Sequence, residues 1–211
     1  MTADPALLTL LQFADGLFPA GGFAHSFGLE TYVQEGRVRD RSGLEAFVAA
    51  HLEGSAGPCD AVAVALATRM AAAADVAGIV SLDERLDAMK CVPEFRAASR
   101  QMGHQTLRAA AALGDDPVLG EILHAVDDGL APGHHAVSFG GALGRAGADS
   151  ERAATAYLYS TAALLVGAGL RLIALGQIDG QRALAAWHLG WEPARRASGD
   201  QLPGPRHPTP E

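Results

Sequence analysis

The balance between helix-forming and strand-forming side chains constrains this chain more than any other feature. Forty-three alanines and 26 leucines stand against 12 valines, four isoleucines and eight threonines. Alanine and leucine lose little entropy in a helix, whereas β-branched residues favour strands. The expected fold class is therefore all-α: a single-domain bundle of about ten helices over residues 1–189, with a Pro-rich flexible tail over 190–211. Five of the 11 prolines fall in the last 19 residues, Pro193 to Glu211, where apolar residues nearly vanish after Leu202. In such a fold the 25 glycines mark helix ends and close helix–helix approaches.

A chain of 211 residues that is 49% apolar supports its own core and is not disordered throughout. A net charge of −8 argues against nucleic-acid binding through phosphates. Cys59 and Cys91 form no CxxC pair, so no disulfide framework is expected and a reducing cytoplasm is the expected compartment. Met1 to Pro5 carries no basic residue, so no secretory leader is expected. Ala153 to Leu170 runs 18 residues without a charge, long enough to cross a membrane. Its six alanines, two glycines, two threonines, one serine and two tyrosines make it weakly apolar, and Arg152 and Arg171 close both ends. It reads as the central buried helix of the bundle, and no membrane is expected.

Caps and prolines divide the rest. Residues 5–14 read as a first helix and 15–22 as a loop. A helix is expected from about Ala24 to Gln34. Another starts at the cap Asp40 or Ser42 and reaches His51, with Leu44, Phe47, Val48 and Leu52 on one face. Pro58 is read as starting an Ala-rich helix to about Ala77, and Ser81–Glu84 as a capping box opening the next. Pro93 interrupts that helix. Glu94 to Leu113 follows, with a core stripe of Phe95, Ala98, Met102, Ala109 and Leu113. Further helices are expected from Asp116–Pro117 to Leu130, from Pro132 to Gly144, from Asp149 or Ser150 to about Gly176, and from Asp179 to Leu189.

The densest stretch is Pro19 to Glu30 (PAGGFAHSFGLE). Gly21 and Gly22 suggest a tight loop, and Phe23 and Phe27 would share a helix face at i, i+4. Gly28 inside that helix costs up to about 1 kcal/mol relative to alanine, which points to a crowded packing site or a partner surface. Ala24–Gly28 loosely matches a nucleophile elbow with Ser26 as nucleophile, but that elbow needs a preceding strand in an α/β sheet. A P-loop is excluded because the only lysine, Lys90, follows no glycine-rich run. No HExxH-type spacing offers a metal site. His134 and His135 are adjacent, so they point apart, and read as first-turn polar residues.

Arg96, Arg100, His104 and Arg108 recur every four residues and form one line along a helix. Such a row repels itself unless acidic groups of this chain or another face it, and arginine suits carboxylate pairing. Arg171 stands alone among apolar residues and must find a carboxylate, a carbonyl or the surface. Ala163 and Gly167 form a small-xxx-small pair that lets helices approach closely.

Residues 7–30 (LLTLLQFADGLFPAGGFAHSFGLE), LDERLDAMK at 82–90, EFRAASRQMG at 94–103 and the stretch from Ala156 to Gln181, which includes RLIALGQ, occur in an order that resembles the urease accessory protein F (UreF) family. The resemblance covers about residues 7–189. It implies an all-helical, dimeric, non-catalytic cytoplasmic protein of urease maturation. Such a protein joins UreD (also called UreH) and recruits the GTPase UreG, so that nickel reaches apo-urease. It binds no cofactor tightly itself; nickel and GTP are handled by the partners. Glu30 and Arg171 match positions the family uses at the UreG-facing surface or dimer cleft, and His25 and Gln177 belong to the same motifs. Arg96, Arg100 and Arg108 join them as expected partner-binding residues. Gly21, Gly22, Phe23, Phe27, Gly28 and Gly167 are expected at the dimer contact or in packing. An arginine supplied in trans can aid phosphoryl transfer, and an arginine in an adaptor surface fits equally. The ending PGPRHPTPE departs from the Ser-, Met-, Arg-, His- and Tyr-rich segment that commonly closes family members and orders on docking to UreD. Two other readings are open at this point: a metallochaperone that binds nickel itself, and a serine hydrolase at Ser26.

Overall fold

A computed structural model describes residues 4–190; the expected tail from residue 191 onward lies outside them. The described residues contain no strand, as the composition predicts. Ten α-helices follow in order: α1 (Pro5–Ala14), α2 (Leu29–Gln34), α3 (Arg41–His51), α4 (Val62–Ala72), α5 (Val76–Met89), α6 (Pro93–Leu113), α7 (Pro117–Asp127), α8 (His135–Arg145), α9 (Ser150–Leu172) and α10 (Gln177–Gly190).

The core sits where α4, α8 and α9 meet. The most extensive contact is α4 against α8. It is close because Gly140 and Gly144 lay α8 directly on the backbone carbonyls of Val64 and Thr68, where a β-carbon would collide. α9 touches α1, α2, α3, α4, α8 and α10. Ala154, Leu158, Ala162, Leu165 and Ala168 are buried on its inner side. It is the only described helix long and apolar enough to cross a membrane, and it occupies the middle of the bundle.

Several helix starts are as expected. Asp40 accepts from the Gly43 amide at 2.9 Å and caps α3. Asp149 accepts from the Arg152 amide at 2.9 Å and caps α9. Proline opens α1, α6 and α7, where its missing N–H costs nothing.

Other elements differ from the sequence expectation. No helix runs from Ala24 to Gln34. A 3₁₀ turn at Gly22–Ala24 is followed by an extended His25, then Phe27 (φ 49°) and Gly28 (φ 88°) in the left-handed region. Gly28 therefore lies before α2 rather than inside a helix, and Phe23 and Phe27 share no helix face. Pro58 starts nothing. It lies inside a π-type segment, Leu52–Ala61, that runs without a break from α3 into α4. The wider turn accommodates a residue that lacks an N–H and whose ring clashes with the carbonyl four residues back. Ser81 is mid-helix, because Asp75 already caps α5 through the Gly78 amide at 2.9 Å. The α6 stripe turns toward Ala98, Ser99, Met102, Thr106 and Ala110, which leaves Leu113 exposed.

Candidate functional site

The loop of residues 15–28 helps line a cavity of about 330 Å³, together with residues of α1, α3, α5, α6, α8 and α9. Gly22 permits the close approach: a β-carbon there would lie 2.5 Å from Leu164 Cδ1 on α9 and 3.0 Å from Met102 Cε on α6. Phe13 stacks on Phe18 with centroids 4.3 Å apart, and Phe27 packs edge-on to Phe95 at 5.5 Å. These rings form the apolar wall.

Polar residues line the cavity as well, among them Ser55, Cys59 and Asp60 of the π-type segment. Asp60 and Lys90 form a buried ion pair at 2.7 Å, their side chains 10% and 15% exposed. The sole lysine of the chain is thus spent inside the molecule. His51, Cys59, His135 and Tyr157 also line the space. Burial lowers the pKa of His51 and brings that of His135 down to about 4, so both imidazoles are neutral at physiological pH. The same burial raises the Cys59 thiol and pushes Tyr157 well above its ordinary value. Among the described residues, no three of His, Cys, Asp and Glu converge as metal ligands.

Arg171 lines the cavity from an exposed position. Its Nη2 donates to the Phe23 carbonyl at 2.9 Å and its Nη1 to the Gly167 carbonyl at 3.2 Å. Its guanidinium lies 4.0 Å from the centre of the Phe23 ring. Phe23 remains 74% exposed. Of the sequence alternatives for Arg171, two are realised together: it is at the surface and it binds carbonyls, with no carboxylate among its hydrogen-bond partners. Glu30, in the first turn of α2, and Gln177, opening α10, are exposed. His25 is half-buried, its ring 6.0 Å from Phe27. Gly21 takes φ 78° ahead of the 3₁₀ turn. Within the chain the close helix approach falls on Gly169 against Leu44, while Gly167 faces open space, with only Arg171 Nη1 near, at 3.9 Å.

The basic row on α6 is largely answered from within. Arg100 Nη2 meets Asp87 at 2.6 Å, Arg96 reaches the Lys90 carbonyl at 2.8 Å and Asp87 at 3.9 Å, and His104 meets Asp127 at 2.7 Å. Arg108 is exposed. Beneath the row lies a network that sequence reasoning missed. His134 is fully buried, with Nδ1 3.0 Å from Ser99 Oγ and Nε2 2.9 Å from Asp87. Asp83 accepts the Gly133 and His134 amides. Burial lifts Asp83 to about 6 and lowers His134 to about 4. For Asp87, burial alone would raise the pKa, but the contacts from His134 and Arg100 outweigh it and the value is lowered. His134 and His135 stand at the cap and first turn of α8, as expected from the sequence, but both are withdrawn from solvent and point apart.

The elbow reading of Ser26 fails on geometry: it follows a 3₁₀ turn, and no strand exists among the described residues to present it. Residues 38–188 match the UreF family. The chain belongs to the UreF family. It is 32% identical over 178 residues to the urease accessory protein UreF of Bacillus sp. (strain TB-90), which covers 84% of this chain and 78% of that one. It is 33% identical over 177 residues to UreF of Actinobacillus pleuropneumoniae serotype 3 (strain JL03), with 84% and 78% covered. UreF 2 of Brucella canis is 33% identical over 180 residues, with 85% and 74% covered. The chain is therefore a urease accessory protein by family. The Phe23–Arg171 contact joins the stretches PAGGFAHSFGLE and RLIALGQ.

Proposed function

We propose that this UreF-family chain is a non-catalytic, dimeric, cytoplasmic adaptor of urease maturation. It joins UreD/UreH, recruits UreG and supports nickel delivery to apo-urease, with nickel and GTP handled by those partners. The observation that carries the reading is the meeting of the stretches PAGGFAHSFGLE and RLIALGQ at one exposed surface: Phe23 against Arg171, whose Nη1 and Nη2 each donate to a main-chain carbonyl. An aromatic–arginine pair held in place is the kind of anchor that dominates protein interfaces. Exposed leucines support a chain made to be covered by others: Leu7, Leu8 and Leu11 on α1, Leu17 beyond it and Leu113 at the end of α6 are each at least 46% exposed. Glu30 and Arg171 face UreG or the dimer cleft in this reading, with His25 and Gln177 beside them and Arg108 on a separate basic edge.

The test is complementation. Cells lacking this protein regain urease activity when given the wild-type chain and fail to regain it when given Glu30→Ala/Arg171→Ala at equal abundance. Full restoration by the double variant removes the site assignment.

A further inference from the structure

We propose that the cavity lined in part by the 15–28 loop binds a small neutral organic molecule with an aromatic or aliphatic body and a single hydrogen-bonding group. The proposal stands apart from the adaptor reading. The volume, about 330 Å³, lies at the lower end of the range that holds small ligands. Phe13, Phe18, Phe95 and Met102 give one side an apolar lining that makes no hydrogen bonds to water.

Charge selects against ions. Four charged residues line the cavity: Asp15 and Arg171 are exposed, while the two that are withdrawn from solvent, Lys90 and Asp60, neutralise each other at 2.7 Å. An anion must take Lys90 away from Asp60 and leave a buried carboxylate unpaired. A cation must do the reverse. Either exchange costs more than a ligand of this size recovers. The neutral imidazoles of His51 and His135 and the hydroxyl of Tyr157 offer both donors and acceptors to an uncharged polar group. Gly167 lines the cavity, and a β-carbon there would meet only Arg171 Nη1, at 3.9 Å. It therefore has room for a β-carbon in ordinary contact with Arg171, and a larger side chain there enters the cavity.

Three isosteric probes test this on the full-length chain by titration calorimetry and ligand-observed NMR: 2-naphthalenemethanol, 2-naphthoate and 2-naphthylmethylammonium. The expected result is saturable one-to-one binding of the alcohol, with both charged analogues at least tenfold weaker. Gly167→Leu, whose helical circular dichroism is expected to match wild type, abolishes binding of the alcohol. Ala163→Leu, on the same wall, serves if Gly167→Leu fails to fold. Absence of alcohol binding to the wild type, equal affinity for all three probes, or undiminished binding by a folded blocking variant overturns the proposal.

Discussion

Arg171 and Phe23, 148 residues apart in sequence, are joined by a 2.9 Å hydrogen bond from guanidinium to main-chain carbonyl, with the guanidinium carbon 4.0 Å from the Phe23 ring centre. The contact ties the C-terminal turn of α9, where a cation is favoured, to the glycine-rich loop. The loop thereby holds an aromatic side chain in solvent, where an untethered one would collapse onto the surface.

Because this pair is exposed, its loss is expected to shift Tm by no more than about 4 °C. Partner capture, in contrast, should drop at least tenfold in Arg171→Ala. Arg171→Lys keeps the charge but lacks the planar fork that reaches two carbonyls and the ring together, so it should rescue only part. Thermal melts alongside UreG binding isotherms separate the two effects.

The buried Lys90–Asp60 pair behaves differently. Lys90→Met leaves a carboxylate without its partner in a largely enclosed space, and a loss of about 3–5 kcal/mol is expected. Lys90→Met/Asp60→Leu removes both charges and should recover most of that loss. Urea unfolding of the single and double variants completes the cycle; a double variant as unstable as Lys90→Met would show that the pair is not the cause.

Acidification should weaken the fold. His134 and His135 fall from 6.5 to about 4 on folding, so each contributes stability that is full above pH 6.5 and is lost as pH falls toward 4. Asp83, raised from 3.8 to about 6, works in the opposite direction and adds stability as pH falls through 6. Two imidazoles outweigh one carboxyl, and a net loss remains. His135→Leu should flatten the profile by about 1.4 kcal/mol per pH unit between about pH 6 and 4.5. Denaturant titrations at pH 7, 5.5 and 4.5 measure the slope.

Gly28 holds φ 88° immediately before α2. Gly28→Ala should cost about 1–2 kcal/mol, and Gly28→Asn less, since asparagine tolerates the left-handed region. A helix glycine at that position would show a gain from alanine, so the sign of the change distinguishes the turn from the helix by equilibrium unfolding.

Elements whose start signals are local were readable from the residues. Asp40, Asp149 and the prolines at 5, 93 and 117 act on amides within three positions, and α1, α3, α6, α7 and α9 begin where those signals stand. The misread elements depend on competition. Ser81 has a cap motif, but Asp75 begins the helix first. Pro58 normally ends a helix, but a widened turn absorbs it. At Phe27 and Gly28 the left-handed backbone breaks a stretch whose spacing reads as helical. In the site, Phe23, Glu30 and Arg171 were identifiable as unusual residues, while the contact between the first and last was not. Asp60–Lys90 and Asp83–His134 pair across 30 and 51 residues, and no periodicity encodes such distances. A proline and two glycines within a helical run, Gly54, Gly57 and Pro58, were the available hint that the cavity wall is irregular.

The central claim is that this chain works by presenting a surface to other proteins of urease maturation. Its most direct test is affinity capture with the tagged full-length chain from cells co-expressing UreD/UreH and UreG, repeated with Arg171→Ala. The account predicts that the wild type retains both partners and that the variant keeps UreD/UreH, keeps its helical spectrum and loses UreG. Wild-type chain that captures neither partner, or a variant that holds UreG as firmly as the wild type, would contradict it.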